Sequence, residues 1–220
     1  MRHVFIATPT HDGKPCAEYT ASLLPTATAL LQNGMAYTHS FVIGNALVHD
    51  ARNRLVAQFM ASPATDLLFI DADIAWNAED AVRLVMSPHD VIGGAYRRKS
   101  EDVIFNQAGA KPTGTSLIEV DYIGTGFLKI SRKAIEKLQT VHADKKYMGP
   151  AGEECYGLFE APIEDGRITG EDALFCRRWR AAGGKVFCDP NMTLHHIGSK
   201  AYSGNFGQMI AHAQKMKEAS

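Results

Sequence analysis

The stretch Asp66-Leu67-Leu68-Phe69-Ile70-Asp71-Ala72-Asp73-Ile74-Ala75-Trp76 governs the reading of the whole chain. Four apolar residues in succession, too few for a helix and bounded by polar positions, suit a strand buried on both faces of a parallel sheet. Open α/β sheets bind ligands in the crevice beyond the carboxyl ends of their strands. Asp71 and Asp73 therefore stand where chemistry is expected. Two acidic side chains so close repel unless a cation lies between them. Hard divalent ions such as Mg²⁺ and Mn²⁺ take one or two carboxylates and leave their other positions to water and substrate phosphates.

Upstream, Val4 to Ala7 is an apolar run stopped by Thr8-Pro9-Thr10, which predicts a first strand and its loop. From Ala17 to Leu31 the residues Leu23, Leu24, Ala27, Leu30 and Leu31 recur at helical spacing, interrupted by Pro25, and Asn33-Gly34 is a helix stop. Tyr37 to Ile43 reads as a second strand. From Ala46 to Met60, Leu47, Ala51, Leu55 and Phe59 recur every four residues, a second amphipathic helix whose other face carries Arg52, Asn53 and Gln58. Downstream of the central stretch, Asn77 suits the cap of a helix with Glu79 and Asp80 in its first turn and Ser87-Pro88 at its end. Val91 to Tyr96 is a further strand leading into Arg97-Arg98-Lys99. This alternation predicts an α/β fold with a mainly parallel sheet flanked by helices.

The second half predicts a smaller, mixed-strand part. Residues 101–123 hold short β-like pieces, and Gly124-Thr125-Gly126-Phe127-Leu128-Lys129-Ile130 reads as a strand with glycines at its start. Ser131 suits the cap of a short helix ending near Leu138. Residues 140–168 are rich in glycine, proline and acids with little periodicity, which predicts a long loop. Thr169-Gly170-Glu171-Asp172 opens a helix running to Ala182, closed by Gly183-Gly184. Lys185 to Cys188 and Met192 to His196 give two last strand pieces, and residues 201–220 a tail or closing helix.

A chain of 220 residues, 45% hydrophobic, predicts one domain over residues 1–200 rather than two independent ones. A formal net charge of −1 gives no general electrostatic drive toward nucleic acid or anionic membrane. The runs Arg97-Arg98-Lys99 and Arg177-Arg178-Trp179-Arg180 read as solvated faces. Cys16, Cys155, Cys176 and Cys188 form no C-x-x-C pair, which points away from a zinc or redox motif and toward a reduced, cytoplasmic setting. No run approaches transmembrane length, and the N-terminus lacks the apolar segment of a signal peptide.

A buried strand followed by D-x-D resembles two families. In haloacid-dehalogenase phosphatases the first Asp is a nucleophile and the second a general acid. That pattern usually places Thr or Val where this chain has Ala75, and it opens the core domain, whereas here two strand–helix units precede it. The D-x-D of GT-A glycosyltransferases fits better, and from Val4 to about Gly198 the chain resembles a GT-A fold, Rossmann-like glycosyltransferase of the family 2-like kind. The resemblance implies a nucleotide-sugar-binding half over residues 1–100 and an acceptor and catalytic half over 101–200. It implies Mn²⁺ or Mg²⁺ held by Asp71, Asp73 and one of His195 and His196. On a strand these two imidazoles point to opposite faces, and the H-x-x-G spacing favours His195. Thr8 and Pro9, Arg52 and Asn53, Asp71 and Ala72 are the positions implied to contact the donor, a UDP- or GDP-sugar, and Gly124, Thr125 and Gly126 those that let its sugar approach the backbone.

Glu171-Asp172 resembles the E-D motif of inverting family 2 enzymes. Asp172 is thereby the general base for a hydroxyl acceptor and Glu171 a ligand for acceptor or donor hydroxyls, with residues 140–168 a lid over the donor. Each position also has a purely structural reading. Asp50 and Arg54 are spaced to form an i, i+4 pair, the glycines suit a bulge, and Thr169 to Asp172 resembles a capping box with Asp in place of Glu. A nucleotidyltransferase acting on sugar phosphates is a rival reading, although Thr8 to Lys14 is a poor match for its glycine-rich basic loop. A non-catalytic nucleotide-sugar-binding module is another. No oligomeric state is implied.

Overall fold

Leu67 and Phe69 bury on one face of the central strand and Leu68 and Ile70 on the other, so this strand has a hydrophobic layer on each side. The structure, a computed structural model, describes residues 1–218; Ala219 and Ser220, the end of the expected tail, lie outside the described residues. The first half alternates β1 (His3–Thr10), α1 (Ala17–Gln32), β2 (Ala36–Ile43), α2 (Val48–Ala61), β3 (Asp66–Ile70), the short β4 (Ile74–Ala75), α3 (Ala78–Met86) and β5 (Val91–Gly94). Short strands follow: β6 (Gln107–Ala108), β7 (Lys111–Pro112), β8 (Ile118–Val120) and β9 (Tyr122–Ile123). Then come β10 (Phe127–Ser131), α4 (Arg132–Val141), β11 (Lys146–Met148), β12 (Glu154–Tyr156), β13 (Ile163–Glu164) and β14 (Arg167–Ile168). The chain closes with α5 (Glu171–Ala181), β15 (Val186–Asp189), β16 (Thr193–Ile197), β17 (Ala201–Asn205) and α6 (Phe206–Glu218).

The main sheet has eight strands in the order β2-β1-β3-β10-β5-β15-β8-β7. β1 pairs parallel with β2 and β3, and β5 with β15. β10 lies antiparallel between β3 and β5, so β2, β1, β3, β5 and β15 all run the same way. The sheet draws strands from both halves of the sequence. Its α1 and α3 face buries Tyr19, Leu30, Trp76 and Leu84, and its other face buries Phe59, Phe159, Phe175 and Trp179.

Several local expectations change. α1 runs unbroken through Pro25, because its buried side is anchored: Trp76 donates its backbone N–H to Ser22 Oγ and its indole N–H to Thr26 Oγ1. Asn77 occupies the N-cap position of α3 without a side-chain cap bond, whereas Ser131 Oγ does accept from Ala134 N–H at the start of α4. The strand from residue 124 begins only at Phe127, with Gly124 to Gly126 forming the turn before it. Residues 140–168 are not one long loop. They fold into a 3₁₀ turn at Ala143–Lys145 and two hairpins, β11–β12 and β13–β14, the second closed by Asp165 and Gly166, both at positive φ. The strand holding His195 and His196 leaves the main sheet and pairs with β4 and β17. Among the described residues no helix is long and apolar enough to cross a membrane.

Candidate functional site

The Asp71-Ala72-Asp73 turn at the carboxyl end of β3 is pinned on three sides. Asp71 N–H donates to the Gly126 carbonyl, Cys16 N–H donates to the Ala72 carbonyl, and Ile197 N–H donates to the Asp73 carbonyl. A further bond from Ile74 N–H to the Asp71 carbonyl closes the turn. β4 then returns to pair with β16, setting His196 opposite Ile74 and His195 opposite Ala75. One β-turn thus gathers α1, β10 and β16 around two carboxylates.

Arg52 organises the first of them. Its Nη1 and Nη2 reach Asp71 Oδ1 at 3.0 Å and Oδ2 at 3.3 Å, and its Nε reaches Glu171 Oε1 at 3.3 Å. The guanidinium is 4% exposed and lies over the Phe69 ring. Burial alone works against its charge, and the paired carboxylates outweigh that and hold the proton. Asp71 therefore has both oxygens taken by a planar fork, and it is less free for a metal than the sequence implied.

Asp73 has different neighbours. Lys99 Nζ lies 2.5 Å and His196 Nε2 3.5 Å from the same oxygen, Oδ2. Burial pushes the Asp73 carboxyl up, but His196 and Lys99 outweigh it and hold it down at about 2. His196 Nδ1 bonds the Arg97 carbonyl at 3.0 Å, and its ring stands edge-on against Tyr96. A carbonyl only accepts, so Nδ1 is the donor there and Nε2 is the ring atom turned to Asp73. His195 bonds Ser203 instead. The favoured histidine is therefore His196: the pairing of β16 with β4 decides which face meets Asp73, and H-x-x-G spacing does not.

Asp172 stands in the first turn of α5, whose N-cap is Gly170 with no side-chain cap bond. Thr169 Oγ1 donates to Glu164, so the capping-box reading fails. Asp172 Oδ1 accepts from Ala173 N–H. Burial, reinforced by the Glu171 charge, raises its carboxyl above the ordinary value. Glu171 is held by Arg52 and Asp172 by no cation within salt-bridge distance among the described residues.

Other expected positions fall elsewhere. Thr8 is buried behind the site, bonded to Tyr19 Oη at 2.5 Å and facing His39, while Pro9 and Thr10 line the cavity beside Asp71 to Asp73. That cavity, about 350 Å³, also meets Lys14, Cys16 and Val48. Asn53 is buried and bonds both the N–H and the carbonyl of Phe159 through its amide, which fixes the loop after β12. Asp50 takes the Tyr147 hydroxyl and Arg54 takes Glu153, so they do not pair with each other. The space over Gly124 and Gly126 is filled: an added Cβ would lie 2.0 Å from Asn106 Nδ2 at Gly124 and 2.8 Å from the Tyr96 ring at Gly126. Thr125 is buried between them. These glycines make room for Tyr96, which accepts from Asn106 and Gly126, rather than for a sugar. Lys99 and Tyr96 are the site residues sequence reasoning missed. The available signal was position: both follow β5, whose carboxyl end opens on the same crevice.

A larger cavity of about 700 Å³ lies between α1 and α3, lined by Val82, Met86, Ile92 and Leu117 among others. Its carboxylates are Glu79 and Asp189, the latter held by Arg83, whereas the smaller cavity carries both acids of the D-x-D turn, and chemistry follows the polar groups rather than the volume.

Among the described residues no group of three or more His, Cys, Asp or Glu side chains is arranged around a metal position. Asp73 and His196 nevertheless suit a divalent ion: a carboxylate oxygen, Oδ2, and an imidazole nitrogen, Nε2, lie 3.5 Å apart, near enough to be two ligands of one ion. Mg²⁺ or Mn²⁺ held there would take its remaining ligands from phosphate oxygens and water.

No family description and no curated protein matches the sequence. Solved structures do match the fold. A197 from STIV aligns with a TM-score of 0.52 at 18% identity, over 90% of this chain and 86% of that one. A mutant Drosophila beta-1,4-galactosyltransferase 7, in complex with manganese, UDP-Gal and xylobiose, aligns with a TM-score of 0.53 at 16% identity, over 90% of this chain and 71% of that one. The chain has the α/β fold of GT-A proteins, with a large, mainly parallel central sheet.

Proposed function

We propose that the chain is a metal-dependent glycosyltransferase that moves a sugar from a nucleoside-diphosphate donor, a UDP- or GDP-sugar, to a hydroxyl acceptor with inversion. The observation that carries this reading is the convergence, at the carboxyl end of β3, of a cation-clamped pair, Asp71 and Glu171, with two carboxylates of distinct character, Asp73 and Asp172. The fold shared with a structure that holds manganese and UDP-Gal supports it.

The donor diphosphate lies in the cavity beside Pro9, Thr10, Lys14 and the Asp71–Asp73 turn, with Asp73 and His196 as the metal ligands. When bound, the divalent ion neutralises charge on the leaving diphosphate. Arg52 holds Asp71 and Glu171 in place, so their oxygens are positioned for ribose or sugar hydroxyls before substrate arrives. Asp172 takes the acceptor proton on Oδ2 while Oδ1 stays on Ala173 N–H. A base needs a carboxyl less acidic than usual, which is what burial and the neighbouring Glu171 charge give Asp172. Glu171, clamped by Arg52, is the positioning partner.

The test is donor hydrolysis and transfer, with UDP- and GDP-sugars, Mn²⁺ and a chelator control. Metal-dependent release of nucleoside diphosphate, lost in Asp73→Ala, supports the reading. Equal turnover without Asp73 sinks it, and binding without turnover in both the natural chain and Asp172→Asn identifies a binding module instead.

A further inference from the structure

Lys99 and His196 converge on one oxygen, Oδ2 of Asp73, at 2.5 and 3.5 Å. The ammonium thus stands on the carboxylate that a divalent ion needs. The two sides of this contact differ in freedom. Asp73 belongs to a turn pinned by bonds to β10, α1 and β16, and His196 is anchored through Arg97. Lys99 sits on a loop held in shape by a bridge between Arg97 and Phe105, by Arg98 N–H on the Ile104 carbonyl and by Lys200 on Glu101. Its own side chain is 35% exposed on a flexible four-carbon stem. Of the two partners, the lysine is the one with freedom to leave.

Charge gives the direction of that movement. Arg52 is committed to Asp71 and Glu171, Lys14 lines the cavity beside Asp73, and Lys99 is the ammonium in contact with the Asp73 carboxylate. An ammonium and a divalent ion repel on a shared oxygen, whereas a diphosphate offers the lysine a stronger anionic partner. We propose that Lys99 is a gate for the divalent cation. In the free protein it closes the Asp73–His196 position; when a nucleoside diphosphate enters, it transfers to the phosphates and opens that position. Metal and diphosphate then bind cooperatively, each strengthening the other by the same factor. The inference rests on the proposed function and assigns this site an order of assembly.

Binding of Mn²⁺ to the full chain, read by the electron paramagnetic resonance of the free ion with and without UDP or GDP, tests it directly, nucleotide alone serving to subtract its own chelation. The natural protein is expected to bind Mn²⁺ weakly by itself and about tenfold more tightly with the nucleoside diphosphate, within the usual range of coupling. Lys99→Met is expected to bind Mn²⁺ alone about tenfold more tightly than the natural protein, with the nucleotide-induced gain reduced accordingly. Lys99→Arg, which keeps the charge, retains weak binding and the nucleotide-induced gain. Asp73→Asn removes Mn²⁺ binding throughout. Equal Mn²⁺ affinity in the natural protein and Lys99→Met overturns the gate and leaves the proposed function standing. No Mn²⁺ binding by either form, with or without nucleotide, overturns both.

Discussion

Asp71 gives both oxygens to a guanidinium that is 4% exposed, whereas Asp73, one residue further on, holds a lysine at a rim where the two side chains are 35% and 41% exposed. The same D-x-D motif therefore has an inner half that is knotted into the core and an outer half open to exchange. The inner knot extends to Glu171 through Arg52, and the outer rim to His196 and the loop after β5. The difference teaches that a motif's spacing names the groups, and their neighbours divide the labour. A buried ion pair fixes geometry but is hard to remake. An exposed one contributes little to stability and is easily exchanged.

Asp172 breaks the comparison most sharply, because it is adjacent to the knot and outside it. Asp172→Asn is expected to lower transfer by about two to four orders of magnitude, the range of a lost general base, measured as kcat at saturating donor. Its effect on folding has the opposite sign. Burial raises the folded Asp172 carboxyl above its unfolded value, so the native state favours the protonated form. Stability from this group is fully present below the unfolded pKa and is lost as pH rises through the folded one. Asp172→Asn should therefore unfold at a higher temperature than the natural protein near pH 7, and the difference should close as pH falls below the ordinary carboxylate range. For the same reason the acid limb of activity should lie above the position of an ordinary aspartate.

Arg52→Met tests the knot itself. Two partly buried carboxylates lose their cation, and removing one partner of a buried pair costs about 3 kcal/mol or more, read as a lowered denaturant midpoint with unchanged slope. If the loss stays below about 1 kcal/mol, Asp71 and Glu171 find water instead, and the inner half is no more rigid than the rim.

The strand–helix alternation of the first half was legible in the sequence because apolar runs and turn residues signal those elements locally. Ser131 as a cap and Gly34 at positive φ after α1 are of that kind. The antiparallel placement of β10 was not legible there, since five residues of a buried strand read alike in either direction. Alternation on β16 implied that one histidine faces the metal position, but the choice of His196 depends on pairing with β4, more than a hundred residues earlier in the chain. Asn53 faced the same barrier: its partner, the Phe159 backbone, lies 106 residues away. Arg97-Arg98-Lys99 looked like a solvated run because charge pattern alone cannot tell a free lysine from one aimed at a carboxylate.

Gly124→Ala probes the layer that joins the two halves. The new methyl meets Asn106 Nδ2 at 2.0 Å and Tyr96 Oη at 2.6 Å, and Asn106 cannot swing aside without releasing the Tyr96 hydroxyl. Overpacking of this sort costs about 1–3 kcal/mol. Tyr96 supports the His196 ring, so the substitution should also weaken Mn²⁺ binding while leaving the Arg52 knot in place. Unchanged stability would show that Tyr96 and Asn106 have room to shift.

The smallest expected effect is the most diagnostic of the rim. Lys99→Met removes an ion pair at 2.5 Å, a distance that in the core would mark a strong interaction. Both side chains are more than a third exposed, so solvent and salt screen the pair, and ordering a lysine offsets what attraction remains. A change in unfolding free energy of no more than about 1 kcal/mol is expected, diminishing further at high salt. A loss as large as that of Arg52→Met would mean that Lys99 holds Asp73 in place structurally, and the division between a fixed inner carboxylate and an exchangeable outer one would fall. A small loss, with the loop bonds of Arg97, Arg98 and Lys200 intact, leaves the short Lys99–Asp73 contact as an electrostatic placeholder rather than a structural one.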